Sequence, residues 1–490
     1  MNPLDTLDTL PFDNGFARLP EAFYTRLPPE GLPEPHLVAA SPAAAALIGL
    51  NPAQFAHPDF APSFAGNRLL PGSEPLAAVY SGHQFGMWAG QLGDGRAHLL
   101  GEVRGWEIQL KGAGQTPYSR FADGRAVLRS SIREFLCSEA MAALGVPTTR
   151  ALAIVGSSAP VRRERVETAA VVTRLAPSFI RFGSFEHWLG KGDLERLRQL
   201  ADYVIERYYP DCRASDAPYA ALLEAVAQRT GELVAHWQAV GFMHGVLNTD
   251  NMSILGLTLD YGPYGFMDAF DPGHICNHSD DLGRYSYQAQ PQIGHWNVYA
   301  LTRALAPLIR DAARSRAALD SYTPAFEARF MALLRAKLGL AEAREEDVDL
   351  VGETYALLEQ QKADYTRFFR ALGRLPAHTD DPATSDAPLL DELPDRDAGA
   401  RWIAHWRARV AAEGRPDAER QAAMNRANPC YVLRNWMAEG AIRAAEGGDF
   451  SEVHRLQDCL SDPYTARPPY AAYAALPPDW ARHIAVSCSS

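Results

Sequence analysis

The chain has 490 residues, 47 basic against 59 acidic, and a net charge of −12. That length exceeds a single hydrophobic core and calls for two or more lobes. The acidic balance excludes a sequence-independent grip on nucleic acid, though not a local basic pocket for a phosphate.

The start, Met1-Asn2-Pro3-Leu4-Asp5, lacks the basic and apolar runs of a signal peptide. No uninterrupted run of about 18 apolar residues is present, so no membrane span is expected. Cys137, Cys212, Cys276, Cys430, Cys459 and Cys488 form no CxxC pair, which argues against zinc and for a cytoplasmic protein with reduced thiols.

Residues 1–80 are rich in Pro and Ala and read as an irregular extension wrapped on the body. Gly90-Gln91-Leu92-Gly93-Asp94-Gly95-Arg96 then precedes a strand. Glycines there let backbone N–H groups approach phosphate oxygens, although a tight turn would look the same. Residues 97–111 predict a hairpin turning at Arg104-Gly105. In its second arm Trp106, Ile108 and Leu110 alternate with Glu107, Gln109 and Lys111. Lys111 at the strand end suits a polyphosphate.

A helix is predicted from about Ser131 to Leu144, ended by Gly145 and Pro147. Its Glu134 is the favoured ion-pair partner for Lys111, with Glu139 as the alternative. Ser131-Ile132-Arg133-Glu134 also fits a capping box. Strands are expected at 150–155 and 169–175. Beyond residue 190 the pattern turns helical, at 194–209, 219–240, 296–311, 323–341 and 347–372. The stretch 376–398 reads as an acidic linker or mobile loop, and 399–460 as a last helical region.

The chemistry concentrates in His244-Gly245-Val246-Leu247-Asn248-Thr249-Asp250-Asn251, followed by Asp260-Tyr261-Gly262. Kinase catalytic loops read H-R-D-x-x-x-x-N and are followed by D-F-G. The His, the Asn, their spacing and the D-x-G match, and Asn251 and Asp260 are oxygen ligands suited to Mg²⁺ or Mn²⁺. Val246, however, stands where the kinase aspartate would be and can accept no proton. The nearest carboxylate is Asp250. The residues alone leave three readings: a relocated base because another phosphate reacts, kinase-type transfer with a displaced base, or a non-catalytic pseudokinase scaffold.

Several long motifs resemble the selenoprotein O family of protein adenylyltransferases. They are Tyr80–Gly86 running into Gly90–Arg96, Lys111–Arg120, Asp123–Ser130, His244–Asn251 and Leu257–Gly262, within a likeness running from about residue 12 to the C-terminus. The resemblance implies an α+β, protein-kinase-like bilobal fold. Its parts would be an N-terminal extension (1–80), a sheet-rich N-lobe (81–185), a helical C-lobe (186–375), and a linker with a C-terminal helical region (376–490). It also implies ATP bound in reverse, so that AMP passes to Ser, Thr or Tyr hydroxyls of protein substrates. Carried over by motif, Gly93, Gly95, Arg96, Lys111, Asp123, Gly124, Arg174, Arg181 and Asp260 contact ATP. Asn251 and Asp260 hold the metal, Asp250 accepts the proton and Glu134 pairs with Lys111. Some family members carry selenocysteine near the terminus, where this chain has Cys488. A reversible Cys276–Cys488 disulfide that tunes activity is therefore expected.

Overall fold

The structure is a computed structural model, and it describes residues 4–486. Its centre is an eight-stranded antiparallel sheet. The strands are β1 (Tyr24–Arg26), β2 (His36–Ala40), β3 (Leu76–Ala78), β6 (Ala97–Val103), β7 (Trp106–Lys111), β8 (Ala126–Val127), β9 (Arg150–Arg162) and β10 (Val166–Ala176). Their order is β1-β3-β6-β7-β10-β9-β2, with β8 pairing β10. A separate hairpin joins β4 (Ser81–Gln84) and β5 (Met87–Gln91), and a small pair joins β11 (Phe242–Met243) and β12 (Gly265–Phe266).

Three strands of the large sheet come from residues read as irregular. β1 and β3 extend it beyond β6, while β2 closes the opposite side against β9. Both edges thus end in strands from the start of the chain, shielding the central ladder from pairing with other chains. Helices α1 (Pro42–Leu47) and α2 (Phe60–Phe64) pack with Ile108 and Leu110 under the sheet.

The hairpin of β6 and β7 turns at Arg104 (φ 52°) and Gly105 (φ 83°), both left-handed, as a tight two-residue turn requires. The alternation in β7 sorts its side chains as expected. The polar set meets a buried network, however, and Gln109 is fully buried. The following helix, α3 (Leu128–Ala143), starts three residues earlier than expected. Its N-cap is Val127, which offers no side-chain cap, so the Ser131–Glu134 capping box does not form.

Helices α4 (Phe182–Lys191), α5 (Leu194–Tyr208), α6 (Pro218–Val240), α7 (Gln290–Ile309), α8 (Ala312–Asp320) and α9 (Tyr322–Leu338) follow. The helix expected over 347–372 is two, α10 (Asp347–Gln361) and α11 (Tyr365–Leu372). Lys362 at φ 49° breaks it, and Asp364 caps α11 through the Arg367 N–H. Asp364 also receives Arg434 at 2.8 and 2.9 Å, and Arg434 bonds Asp268 as well.

The acidic stretch is more ordered than a free linker. It forms short helices α12 (Pro382–Ser385) and α13 (Ala387–Leu390), and buried Asp386 pairs with Arg407. Helices α14 (Arg396–Ala411), α15 (Asp417–Ala427), α16 (Asn435–Glu446) and α17 (Ser451–Ser461) complete the chain. The last two pack on α3 in one core that includes Phe135, Met141, Ile442 and Leu456. Among the described residues no helix is long and apolar enough to cross a membrane.

Lys337 at the end of α9 is buried, with its ammonium 4.3 Å from the Phe369 ring. Burial lowers its pKa to about 7 from an ordinary 10.5. Between those values the unfolded chain binds the proton and the folded one does not, so stability rises with pH across that window. Lys337→Met is expected to raise the thermal midpoint at pH 6 and to lose that advantage towards pH 10. Thermal denaturation across this range checks it. An unchanged midpoint at pH 6 would count against the buried-ammonium account.

Candidate active site

A cleft of about 820 Å³ opens between the sheet and the segment 244–262. Gly93, Gly95, Arg96, Lys111, Asp123, Gly124, Arg174, Arg181, Asp250, Asn251 and Asp260 all line it. The ordering follows from the strands. β7 ends at Lys111, and β10 pairs Arg174 directly opposite Gln109, so both basic side chains emerge on one face of the sheet.

At the inner end Asp260 gathers three cations. Lys111 Nζ lies 3.3 Å from Asp260 Oδ1, Arg181 Nη1 donates to Oδ2 at 2.6 Å, and Arg174 Nη1 donates to Oδ1. Lys111 also donates to Glu134 Oε2 at 2.6 Å, and Arg174 to Glu134 Oε1 at 3.2 Å. Glu139 instead takes Arg150 at 2.7 and 2.8 Å, so Glu134 is the lysine's partner. Burial works against the Asp260 charge, but Arg181, Arg174 and Lys111 outweigh it and hold the carboxyl well below its usual range. Burial pulls the Lys111 pKa down, against the opposing pull of Glu134 and Asp260.

The loop from His244 is pinned at both ends. His244 Nε2 donates to the Leu259 carbonyl at 2.8 Å, tying it to the residue before Asp260. Gly245 adopts φ 79°, and a Cβ there would lie 2.7 Å from the Pro263 carbonyl oxygen. Only glycine fits, which explains why the kinase arginine has no counterpart. Asn248 accepts the Phe85 N–H at 3.0 Å and the Tyr285 hydroxyl at 2.6 Å. Val246 lines the cleft with no polar group to offer.

Asp250 is 8% exposed. Its Oδ2 accepts from the Gln84 amide at 3.2 Å, while its buried Oδ1 has no hydrogen-bond partner. Burial pushes its pKa up to about 6, with Arg181 pulling the other way. Its backbone carbonyl accepts from Arg181 Nη1 at 2.6 Å. Strand β4 runs directly over it: a Cβ on Gly82 would lie 3.1 Å from Asp250 Oδ1.

At the outer end Asp123 holds Arg163 at 2.7 and 3.0 Å and accepts the Arg125 N–H at 2.9 Å. Gly124 sits at φ 71° against the Gly114 backbone, where a side chain could not fit. Gln84 and Arg163 are site residues not singled out from the sequence. Gln84 lay within a recognised motif, but Arg163, on the turn between β9 and β10, carried no signal. Cys276 is buried, with its Sγ 3.6 Å from the Met243 carbonyl oxygen. Cys488 lies outside the described residues, and the expected disulfide with it.

Among the described residues no group of three or more His, Cys, Asp or Glu side chains could hold a metal. The donor set nonetheless suits a hard cation shared with phosphates. Asn251 commits its amide N–H to the Val246 carbonyl at 2.9 Å, which leaves its oxygen for other partners. The Asp260 carboxylate is ionised and lines the same cleft. Such ions are typically held by one or two protein oxygens plus phosphates.

A family model described as protein adenylyltransferase SelO matches residues 6–461. A protein nucleotidyltransferase YdiU from Dechloromonas aromatica is 61% identical over 486 residues, 98% of this chain and 97% of that protein. Proteins of the same name from Bordetella avium and Herminiimonas arsenicoxydans are 56% and 55% identical, each alignment covering 99% of this chain and 100% and 98% of theirs.

Proposed function

We propose a course of reaction for this chain, which belongs to the SelO family of protein adenylyltransferases. It is a nucleotidyltransferase that takes ATP as substrate and protein hydroxyls as acceptors. The fold is read as kinase-like and bilobal. The division is an extension to residue 80, an N-lobe over 81–185, a C-lobe over 186–375 and a C-terminal region over 376–490. The setting is cytoplasmic.

The observation that carries the reading is the placement of Asp250. Four residues after Val246, it is the carboxylate of this loop that lines the cleft, with one oxygen unpartnered. The cations Lys111, Arg174 and Arg181 gather beside it on Asp260. A triphosphate with its outer phosphates among those cations brings its α-phosphorus towards Asp250. The Asp250 carboxylate then takes the proton of an incoming Ser, Thr or Tyr hydroxyl. The hydroxyl oxygen bonds to the α-phosphorus, the bond from that phosphorus to the bridging oxygen breaks, and pyrophosphate leaves. Lys111, Arg174 and Arg181 offset the charge growing on the leaving group. Gly93 and Gly95 let the backbone approach the nucleotide, with Arg96, Asp123 and Gly124 along its outer part. Asn251 and Asp260 hold Mg²⁺ or Mn²⁺, which when bound would neutralise phosphate charge and fix the phosphates in place.

ATP labelled at either the α- or the γ-phosphate, incubated with protein acceptor and Mg²⁺ or Mn²⁺, tests the reading. Covalent label is expected from the α position and none from γ. Label from γ would make the protein a kinase, and label from neither would make it a scaffold.

The Cys276–Cys488 disulfide fits the same site. A Cβ on Gly245 would lie 2.8 Å from Cys276 Sγ, so the sulfur rests on the loop that carries Asp250. The His278 N–H donates to the Val486 carbonyl at 3.0 Å, so Val486, two residues before Cys488 in sequence, lies against the segment that carries Cys276. Thiol labelling is expected to modify Cys488 only after reduction. Equal labelling of Cys488 with and without reductant would end the idea.

A further inference from the structure

A second pocket of about 350 Å³ lies on the other side of strand β4 from the reaction centre. Successive residues of that strand face opposite ways. Gln84 turns its amide to Asp250, while His83 turns its ring to Glu186, donating from Nδ1 to Oε1 at 2.5 Å. His83 forms one wall, with Trp88 of β5 at 5.2 Å between ring centroids and Trp296 of α7 at 5.5 Å. Tyr299 and Arg303 of α7 complete the mouth.

Two features mark this pocket as a built binding site. Trp88 and Tyr299 leave 47% and 46% of their surface exposed, an unusual outlay of aromatic area beside an active site. Glu186, which lines the pocket, is 4% exposed, and its Oε2 has no hydrogen-bond partner. A buried carboxylate oxygen without a donor is costly, and an occupant bearing one removes that cost.

The surrounding charge selects among donors. Arg284 sits 4.9 Å over the Trp296 ring, and Arg303 lines the mouth. A lysine or arginine would meet the Arg303 guanidinium at the mouth, with Arg284 behind Trp296. A flat neutral side chain with a polar tip meets none of that repulsion and stacks on the rings.

Resting on the transferase reading above, we propose that this pocket is a subsite for the acceptor polypeptide. It takes a tryptophan or tyrosine side chain lying within a few residues of the hydroxyl to be modified. The indole N–H or phenol O–H donates to Glu186 Oε2. The occupant's backbone passes over β4, whose opposite face holds Asp250 through Gln84. Acceptor choice then depends on the β4–β5 hairpin, which stands between this pocket and Asp250.

Two measurements on the full chain test this. The first is fluorine NMR of protein labelled with 5-fluorotryptophan, titrated with N-acetyl-tryptophanamide. Trp88→Phe and Trp296→Phe assign the two signals. Both are expected to shift saturably with this probe and not with N-acetyl-alaninamide or N-acetyl-argininamide. Silence at both signals, or equal shifts with the alanine probe, overturns the proposal.

The second is a serine-centred peptide library in which tryptophan is scanned through the flanking positions, read by label from the ATP α-phosphate. One position is expected to favour tryptophan by about tenfold, the effect of burying one aromatic side chain. Trp88→Ala is expected to abolish that preference with the KM for ATP unchanged. Tyr299→Ala serves as a second variant at a half-exposed position. A preference that survives both variants overturns the proposal. Saturable NMR shifts with no peptide labelled would sink the acceptor role and the transferase reading together. Labelled peptides with silent NMR signals would sink the pocket alone.

Discussion

Asp250→Ala is expected to remove AMP transfer, by about 10²–10⁴-fold, the usual contribution of a general base. The phosphate end of the site should survive the change. Arg181 bonds the backbone carbonyl of residue 250, which alanine retains, and the Asp260 cluster does not use the Asp250 side chain. ATP affinity, measured by calorimetry, should therefore hold or tighten slightly as one negative charge leaves the cleft. Asp250→Asn should be equally inactive, because the amide keeps the shape and loses the basicity. Transfer by either variant near the parental rate would exclude Asp250 as proton acceptor and return the base to an unidentified group.

Asp260→Asn is expected to have a two-part effect that separates charge from shape. Asp260 sits at φ 56°, a conformation asparagine tolerates almost as well as aspartate, so the backbone should hold. The lost charge leaves Lys111 and Arg174 with Glu134 as their ion-pair partner and takes from Arg181 its carboxylate contact. Breaking such a buried network costs on the order of 3 kcal/mol in the ligand-free protein. Transfer should fall below detection. The same free cations should bind ATP at least as tightly without divalent metal as the parent does with it. Calorimetry with and without EDTA reads this. An ATP affinity that stays as metal-dependent as the parent's would show that Asp260 is not the site of cation exchange.

On the proposed reading, that exchange accounts for the carboxylate partners of Lys111, Arg174 and Arg181. Buried cations cannot stay unpaired without a large cost. Asp260 and Glu134 satisfy them, and on the same reading bound phosphates would take over those contacts and release Asp260 for a metal. The ion pair of Lys111 and Glu134 is thus one edge of a larger network.

What the sequence disclosed depended on how local the determinant was. The alternation in β7 sorted Ile108 and Leu110 from Gln109 and Lys111, because a strand's period is written in adjacent residues. The His244–Asn251 loop was legible for the same reason. Strands β1, β2 and β3 were not, since their short pieces become strands only by pairing with β3, β9 and β6. Ser131–Glu134 looked like a helix start, but tertiary contacts begin α3 at Leu128 and assign Glu134 to Lys111. The break at Lys362 was hidden because Asp364 answers to Arg434, 70 residues away. Gln84 and Asp250 are 166 residues apart, a distance no local pattern spans.

The packing of α16 and α17 on α3 bears on when the enzyme first becomes competent. Arg133, beside Glu134, donates to Asn435 Oδ1 at 3.1 Å and to the Tyr264 carbonyl at 2.7 Å. His454 and Gln457 donate to the carbonyls of Val38 and Ala40, both at 2.8 Å. A nascent chain emerging from the ribosome holds every residue of the cleft by the time position 263 is made. Yet the helix that steadies its lysine still lacks the apolar bed supplied by the last fifth of the polypeptide. The Lys111–Glu134 pair carried by α3 is therefore expected to be fully set only once residues 435–461 are in place.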